Sequence, residues 1–330
     1  MSALPLTPLW LRSTGTCPYE NQALEKYLLE QVGPEQIILY LWQNHRTVVI
    51  GKNQNPWREC KVAELEADGG SLARRISGGG AVYHDLGNLN FTFLCRAAQY
   101  DVGRNLQVIV AALARLGIRS EITGRNDVTV EGRKISGNAF YEGRSCFHHG
   151  TLLIGVELER MGRYLQASAK KLASKGVASV QARVTNLQTF CPGLTPEQMV
   201  EPLLQGMEQV YGMRPVPWPR ETLDAGRLSV LTREFADPAW RLGRPIPCDL
   251  AMQERFPWGE VELRLSVDRG RVRQAQLFTD ALHTDLAELV EPALTGHVFS
   301  SRTLAQVLAN LPGAGMEVSD LAALVLREGF

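Results

Sequence analysis

The segment RRISGGGAVYHD, at positions 74–85, carries a dense set of groups that can bind an anion. Two arginines and a serine are followed by three consecutive glycines. Glycine lacks a Cβ, so successive backbone N–H groups can approach one ligand and form an anion-binding nest. An arginine guanidinium can hold two phosphate oxygens at once. The segment predicts a nucleotide site, although a tight turn with two solvated arginines would use the same residues.

A second candidate group is Asp127 and Lys134, on opposite arms of a predicted hairpin that turns at Glu131 and Gly132. Side chains in these positions can converge on one ligand. Asp127, preceded by Asn126, is a candidate for binding magnesium or a ribose. A lone lysine on a strand is also typical of a solvated sheet edge, so the local pattern leaves both interpretations open.

Other motifs favour structural roles. The chain has no Gly-x-x-x-x-Gly-Lys-Ser/Thr loop, no Gly-x-Gly-x-x-Gly opening a helix, no His-Glu-x-x-His and no Gly-x-Ser-x-Gly. Ser168 and Lys171 have the spacing of a serine acyl-enzyme motif, but their lysine-rich surroundings predict a solvated helix end. His84 and His149 lie beside predicted strands, where a histidine is usually a hydrogen-bonded structural residue.

The elements around these residues mix strands and helices without a regular β-α-β repeat, which predicts an α+β fold. The hydrophobic periodicity predicts helices at 21–31, 106–116 and 196–211. Strands are expected at 36–42, 47–50, 88–95, 118–122, 128–130, 134–141 and 151–156. After Pro245 and Pro247 the pattern restarts with a hairpin at 261–278, followed by helices. We therefore expect a catalytic domain at 1–246 and a smaller α+β domain at 247–330.

Composition limits the classes of partner and compartment. Lysines plus arginines number 35, as do aspartates plus glutamates, so no net field draws the chain to nucleic acid or to a membrane. The six cysteines form no Cys-x-x-Cys pair, which argues against structural zinc and a disulfide framework and predicts reduced thiols. The amino-terminal segment has no basic leader and contains Pro5 and Pro8. A cytoplasmic protein without nucleic-acid or membrane partners is expected.

Four motifs in one order resemble the lipoate-protein ligase family. They are RRISGGGAVYHDLGN at 74–88, GRND at 124–127, GRKISG at 132–137 and HHGTLL at 148–153. Upstream, Trp42 and residues 47–51 and 54–57 are also similar to that family. Downstream, Ser179, residues 183–187 and residues 256–280 extend the resemblance, which covers nearly the whole chain.

This resemblance implies a fold and a reaction. The fold is a catalytic domain like that of biotin ligases and class II aminoacyl-tRNA synthetases, with a mixed or antiparallel sheet, plus a small accessory domain. The reaction joins lipoate to ATP with Mg²⁺ to give lipoyl-adenylate and pyrophosphate, and then moves the lipoyl group to a lysine, releasing AMP. The implied acceptors are lipoyl domains of 2-oxoacid dehydrogenase acyltransferase subunits and the H protein of glycine cleavage.

The resemblance also implies roles for individual residues. Lys134 would contact both the lipoate carboxylate and the α-phosphate, as an electrostatic clamp. The other implied ATP or adenylate ligands are Arg75, Gly80, Ala81, Val82, Tyr83, Asn126 and Asp127. The lipoate site, besides Lys134, would include Val48, Gly79, Ala139 and His149, and Asp127 would be the metal ligand. Asn138 departs from the family pattern, in which serine is common at that position.

The alternative function is a cysteine-dependent octanoyl or lipoyl transferase on the same fold, which uses a thioester without ATP. Such an enzyme needs an activated cysteine near the lysine. No cysteine occurs between Cys95 and Cys146, and Thr185-Asn186-Leu187 has none. Cys146 and Cys191 are the remaining candidates, and both are poorly placed.

Overall fold

The computed structural model describes residues 6–123, 127–166, 184–312 and 315–330, and it divides into two compact units. The first unit comprises Met1–Val49, Trp57–Arg74 and Ala81–Arg241. The second comprises Ile50–Pro56, Arg75–Gly80 and Leu242–Phe330. Two short segments of the amino-terminal part therefore group with the carboxy-terminal residues. A domain boundary at residue 246 stays a prediction.

The elements up to residue 241 mix helices and strands, as the sequence predicts. The strands are β1 (Thr7–Arg12), β2 (Gln36–Trp42), β3 (Thr47–Ile50), β4 (Ser71–Arg74), β5 (Val82–His84), β6 (Asn88–Arg96), β7 (Glu121–Thr123), β8 (Asp127–Val130), β9 (Arg133–Ser136), β10 (Asn138–Tyr141), β11 (Ser145–Leu153) and β12 (Val216–Pro217). The helices are α1 (Pro18–Gln31), α2 (Pro56–Glu59), α3 (Val62–Ala67), α4 (Val102–Arg115), α5 (Leu158–Tyr164), α6 (Val200–Tyr211), α7 (Ala225–Ala236) and α8 (Pro238–Arg241).

The largest sheet of the first unit has the order β10-β11-β6-β2-β1-β12. Its pairs are antiparallel except for β1 with β2 and β1 with β12, which are parallel. Smaller sheets have the orders β4-β3-β5 and β7-β8-β9. The α+β fold with a mixed sheet is therefore confirmed.

The large sheet has two chemically different faces, because successive residues of a strand point to opposite sides. The apolar face is defined by Leu89, Phe91, Phe93 and Cys95 of β6 and their register partners Leu152, Gly150, His148 and Cys146 of β11. Five of these residues, Leu89, Phe91, Phe93, Cys95 and Leu152, belong to a core that includes apolar residues of α4 and α6. The polar face is defined by Tyr40, Trp42, Asn90, Thr92, His149 and Thr151, all buried. Helix α1 contacts β6 and β11.

Several predicted boundaries differ from the structure. Helix α4 begins at Val102 rather than 106, because the Asp101 carboxylate caps it by accepting the N–H of Arg104 at 2.9 Å. The strand predicted at 134–141 is interrupted at Gly137, so β9 and β10 belong to different sheets. The strand predicted at 151–156 runs from Ser145 to Leu153. Alternation does not mark its start, because every residue of β11 is buried.

The predicted hairpin at 127–134 is confirmed. Strands β8 and β9 pair antiparallel, with Thr129 opposite Lys134. Glu131 and Gly132 have φ values of 51° and 73°, the left-handed conformations that a two-residue hairpin turn requires. The turn thus places Asp127 and Lys134 on the adjacent strands β8 and β9.

The second unit is built on an antiparallel sheet with the order β13-β14-β15. Its elements are β13 (Leu250–Phe256), β14 (Gly259–Asp268), β15 (Arg271–Thr279), α9 (Leu286–Leu294), α10 (Ser301–Ala309) and α11 (Met316–Glu328). The predicted hairpin at 261–278 is confirmed as β14 and β15, and their apolar side chains share a core with the three helices. Among the described residues, no helix has the length and apolarity needed to cross a membrane.

Candidate functional site

Lys134 and Asp127 form an ion pair, with 2.7 Å between Nζ and Oδ1. Each side chain is more than a third exposed, at 37% and 39%. An exposed pair contributes only about 0–1 kcal/mol, so Lys134 can exchange Asp127 for another anion at little cost. The backbone of Lys134 is fixed from the other side, since its carbonyl accepts the N–H of Thr185 at 3.0 Å. The structure thus offers a positioned cation that solvent reaches.

Gly137 keeps space open beside this cation. A Cβ at residue 137 would lie 3.4 Å from Cε and 3.6 Å from Nζ of Lys134. The backbone of Gly137 is anchored to Thr151, whose hydroxyl accepts its N–H at 3.1 Å. Thr151 belongs to the polar face, so this contact links the end of the β8–β9 hairpin, which carries Lys134, to that face of the large sheet.

A buried network lies on the polar face around Glu25 of α1. The Trp42 indole N–H donates to Thr92 Oγ1 at 3.0 Å, and the Thr92 hydroxyl donates to Glu25 Oε1 at 2.7 Å. His149 Nδ1 lies 2.9 Å from the same carboxylate oxygen. A carboxylate oxygen accepts hydrogen bonds, so this contact suits the tautomer of His149 that carries a hydrogen on Nδ1. The network thus restricts the orientation of the His149 ring.

Ala139 shares the face of this network, because it is the register partner of His149 across β10 and β11. Val48 lies on β3 of a smaller sheet, fully buried and opposite Tyr83 of β5. The structure thus places Ala139 beside His149, whereas Val48 is adjacent to a residue predicted to bind the nucleotide. Whether these side chains contact lipoate stays a prediction.

Tyr83 borders a cavity of about 210 Å³ that is lined by six polar side chains together with Leu86 and two glycines. Among the described residues its buried hydroxyl has no hydrogen-bond partner. Burial, followed by the charge of Asp85, raises the pKa of Tyr83 to about 12, so the phenol stays neutral. Asp85 and the oppositely charged Arg160 also line the cavity. It can accept a ligand that carries both hydrogen-bond donors and acceptors.

The glycine loop, Arg75–Gly80, belongs to the second unit, and its polar groups have partners there. Arg75 Nη2 donates to the carbonyls of Gly78 at 2.7 Å and Gly80 at 2.8 Å. The N–H of Gly79 donates to the carbonyl of Ala281 at 3.2 Å. Arg75 therefore shapes the loop in this structure, and its contact with a nucleotide stays a prediction.

The interpretation of a turn with two solvated arginines is wrong, because Arg74 and Arg75 are each only 5% exposed. Arg74 lies in the first unit, where its guanidinium donates to the carbonyls of Trp240 and Arg241. Burial lowers the pKa of Arg74 to about 10, which leaves it charged at neutral pH. Gly78 is needed for packing, since a Cβ there would lie 2.3 Å from the carbonyl oxygen of Ala281.

Asn138, the departure from the family pattern, has an identifiable role. Its Oδ1 accepts Nε2–H of His148 at 2.9 Å, and its amide donates to Ser136 Oγ at 3.3 Å. His148 lies on the apolar face among the rings of Phe91, Phe93 and Phe140. Burial, with a smaller contribution from His149, lowers the pKa of His148 to about 3. Asn138 thus orients a histidine that stays neutral.

Other predicted residues are placed as follows. His84 has the structural role expected, since the Asn44 amide donates to its Nδ1 at 3.2 Å. Asn126 lies outside the described residues, as do Ser168, Lys171, Ser179 and Arg183.

No cluster of three or more His, Cys, Asp or Glu side chains suited to a metal ion occurs within the described parts of the chain. Mg²⁺ is often held by one or two carboxylates together with substrate phosphates. Asp127, a single partly exposed carboxylate, fits that type of site, although Lys134 now pairs with it.

Family models cover most of the chain. Residues 17–208 match the lipoyl protein ligase A/B catalytic domain, and residues 246–324 match the bacterial lipoate protein ligase C-terminus. The first match alone spans more than half of the sequence. The chain belongs to the lipoate-protein ligase family.

Solved structures of lipoate-protein ligases share the fold. Plasmodium falciparum LipL1, solved in complex with lipoate, is 27% identical, with a TM-score of 0.82 over 97% of this chain and 99% of that chain. A lipoate-protein ligase A bound with ATP is 22% identical, with a TM-score of 0.61 over 73% of this chain and 99% of that one. The bipartite ligase of Thermoplasma acidophilum, studied with its E2 lipoyl domain, is 23% identical, with a TM-score of 0.62 over 75% and 100%. At these lower identities the last two similarities bear on the fold alone.

Glu25 is the functional candidate that the sequence analysis missed. It lies on α1 among the apolar residues Ala23, Tyr27 and Leu28, so a charged residue on a buried helix face was the available signal. Its partner His149 is far away in sequence, and only the packing of α1 on the sheet brings the two together.

Proposed function

We propose that the protein activates lipoate with ATP and transfers the lipoyl group to a lysine of a lipoyl domain. The observation that carries this proposal is the Lys134–Asp127 pair, a solvent-accessible cation held on a two-stranded hairpin inside the matched catalytic region. The first reaction brings a carboxylate against a phosphate, and both are negative. A fixed ammonium group lowers the cost of that encounter and stabilises charge that develops on the α-phosphate.

In the first step, a lipoate carboxylate oxygen attacks the α-phosphorus and pyrophosphate leaves. Lys134 would exchange Asp127 for the two reacting anions, holding them in line. Asp127, released from Lys134, would then hold Mg²⁺, which shields the phosphate charges when bound. The cavity at Tyr83 and Asp85 is the place we assign to the nucleoside.

In the second step, the acceptor amine attacks the acyl carbon, a C–N bond forms, and AMP leaves with the C–O electron pair. The amine must lose a proton for the amide to form. Lys134 would remain in contact with the phosphate of the departing AMP and stabilise its negative charge. We assign the lipoyl tail to the polar face beside Ala139 and His149, whose ring is oriented by its contact with Glu25.

A solved structure of another ligase supports the class of acceptor that we propose for the lipoyl group. The Thermoplasma ligase was studied with its E2 lipoyl domain, which supports lipoyl domains as partners here. Lipoyl domains of 2-oxoacid dehydrogenase acyltransferases and the glycine cleavage H protein are therefore the acceptors to test. The cytoplasmic location stays a prediction.

The cysteine-dependent transferase is disfavoured by the placement of Cys146. This thiol lies on the apolar face, opposite the face that carries His149 and Ala139. Burial also raises the pKa of Cys146, whereas a cysteine that forms an acyl-enzyme rapidly needs a lowered one. The described geometry thus provides no activated thiol at this position.

The test is exchange of labelled pyrophosphate into ATP, measured with Mg²⁺ and with or without lipoate. We expect exchange that depends on lipoate, followed by a mass gain of one lipoyl group on an added lipoyl domain. A folded protein that gives no exchange, but moves an octanoyl group from an acyl-carrier thioester without ATP, would establish the transferase instead.

Lys134→Ala is expected to reduce the exchange rate by about 10²–10³-fold, the usual loss when one electrostatic donor is removed. Lys61→Ala is the matched control, because Lys61 is also an exposed lysine paired with a carboxylate, that of Glu64. Near-normal exchange by a folded Lys134→Ala protein would refute the role of Lys134. An equal loss in both variants would show that the effect is not specific to this lysine.

A further inference from the structure

Two of the six cysteines face each other across adjacent antiparallel strands. Cys95 of β6 and Cys146 of β11 are direct register partners. Directly opposite residues in such a pair point to the same face and have Cα atoms about 4.5–5.5 Å apart. A disulfide requires a Cα separation of about 4.4–6.8 Å. The register therefore places the two Cα atoms within the separation that a disulfide can span.

The pair lies near one end of the strand ladder. Beyond it lie the Ser145–Arg96 register pair and a hydrogen bond from the Ala97 N–H to the carbonyl of Arg144 at 3.3 Å, and Arg144 belongs to the exposed turn at residues 142–144. The Cys146 thiol donates to the carbonyl of Gly143 in that turn, at 3.5 Å. Both thiols are buried when the ladder is closed. Strand ends open more readily than strand centres, so fraying of this end gives a small reagent access to Cys146 first.

The other four cysteines are arranged differently. In the strand pairings and bridges of the described residues, no other cysteine has a cysteine as its register partner. Cys60 is equally buried, but its bridge partner is Leu165. Burial alone therefore does not single out Cys95 and Cys146, and their register does.

We propose that Cys95 and Cys146 form a site of reversible two-electron oxidation that takes hydrogen peroxide or a similar small peroxide. The Cys146 sulfur attacks the peroxide, the O–O bond breaks, and a sulfenic acid and one water are formed. The Cys95 sulfur then attacks the sulfenic sulfur, a second water leaves, and the S–S bond forms. Two thiols are oxidised and one peroxide is reduced to two waters. A dithiol reductant restores the thiols through exchange.

Oxidation of the two thiols should be slow, and the disulfide-linked protein should be more stable to heat than the reduced protein. Burial raises the pKa of both thiols, that of Cys95 to about 12, so little thiolate is present at neutral pH. The new bond closes residues 96–145 into a loop and restricts the unfolded chain. We expect the melting temperature to rise by about 5 °C or more. This inference does not depend on the proposed ligase reaction.

The experiment exposes the reduced full-length protein to hydrogen peroxide under native conditions, then blocks free thiols before digestion and peptide mapping. The expected result is a linked Cys95–Cys146 peptide, loss of two free thiols, a higher melting temperature and full reversal by dithiothreitol. Cys60→Ala, the matched control, should form the same link. Cys146→Ala should form none and keep the melting temperature of its reduced form.

Two results would overturn the proposal. One is native wild-type protein that loses thiols to peroxide without a Cys95–Cys146 link. The other is a link that appears only after the protein is unfolded in urea, because that would show that the folded register does not form it. The wild-type peptide map decides the question even if Cys146→Ala fails to fold.

Discussion

The two faces of the large sheet bury polar groups in opposite ways, and the adjacent residues His148 and His149 show the difference. His148 points to the apolar face, among three phenylalanine rings, and burial lowers its pKa to about 3. His149 points to the polar face and donates to the buried carboxylate of Glu25. Strand β11 thus carries one histidine that stays neutral and a second one whose ring contacts a buried carboxyl group.

This difference shows what each face can do. The apolar face contributes stability through hydrocarbon packing, and a charge there has no compensating partner. On the polar face, the side chains of Thr92 and His149 contact the buried carboxyl group of Glu25, which lies on α1. Of the two faces of the large sheet, the polar face is thus the one that surrounds a buried carboxyl group with hydrogen-bonding side chains, and we place the lipoyl tail there.

The largest effect on stability is expected from Phe93→Ala on the apolar face. Phe93 is fully buried, and its truncation leaves a cavity that should cost about 3–5 kcal/mol of unfolding free energy. Urea unfolding followed by tryptophan fluorescence measures this loss. Val298→Ala, at an exposed position, is the control and should change stability by less than about 0.5 kcal/mol. Similar values for the two variants would contradict the assignment of the core to this face.

An intermediate effect is expected from Glu25→Ala on the polar face. The change removes the acceptor for both Thr92 and His149 and should cost about 3 kcal/mol. It should also raise the KM for lipoate, because the His149 ring loses its orientation. Glu25→Gln keeps an acceptor oxygen and should lose less on both measures.

A double-mutant cycle of Glu25 with His149 sharpens this prediction. Partners that contact each other should show a coupling energy of at least about 0.5 kcal/mol. Additive losses would show that the two side chains act independently. An unchanged KM for lipoate in both single variants would remove the polar face from the lipoate site.

The smallest effect, a dependence of stability on pH, is expected from His148. The pKa of His148 is lowered in the folded state to about 3, from 6.5, so the unfolded chain binds the additional proton between these values. Its contribution to stability is fully present above pH 6.5 and is lost as the pH falls toward 3. The loss amounts to about 1.4 kcal/mol at one pH unit below 6.5.

The measurement is urea unfolding between pH 7.5 and 5.5 for wild type, His148→Gln and the control His45→Gln, which alters an exposed histidine. His148→Gln should flatten the dependence, whatever its stability at pH 7.5, and should do so more than the control His45→Gln. If the unfolding free energy depended on pH equally in all three proteins, the pKa of His148 would not be lowered in the folded state.

Parts of the fold and the site could be predicted from local sequence. The hairpin at Glu131 and Gly132 follows from turn chemistry, and the alternation at Val261–Val267 gave the second hairpin. Other features depend on distant residues and could not. The break at Gly137 arises because β9 and β10 pair with strands of two different sheets. The limits of β11 are not visible in the sequence, because both faces of this strand are buried and its residues do not alternate between apolar and polar.

The sequence by itself determined the order of the glycine, Asp127, Lys134 and histidine motifs, and with it the family. It also determined the α+β mixture, since helical and strand periods are local properties of the chain. Only the tertiary structure decided what the polar groups do. Arg75 turned out to bind the carbonyls of its own loop, Asn138 to orient His148, and Glu25 to accept from His149. Each of these contacts depends on burial and on the direction of a side chain, which the types and spacing of residues leave open.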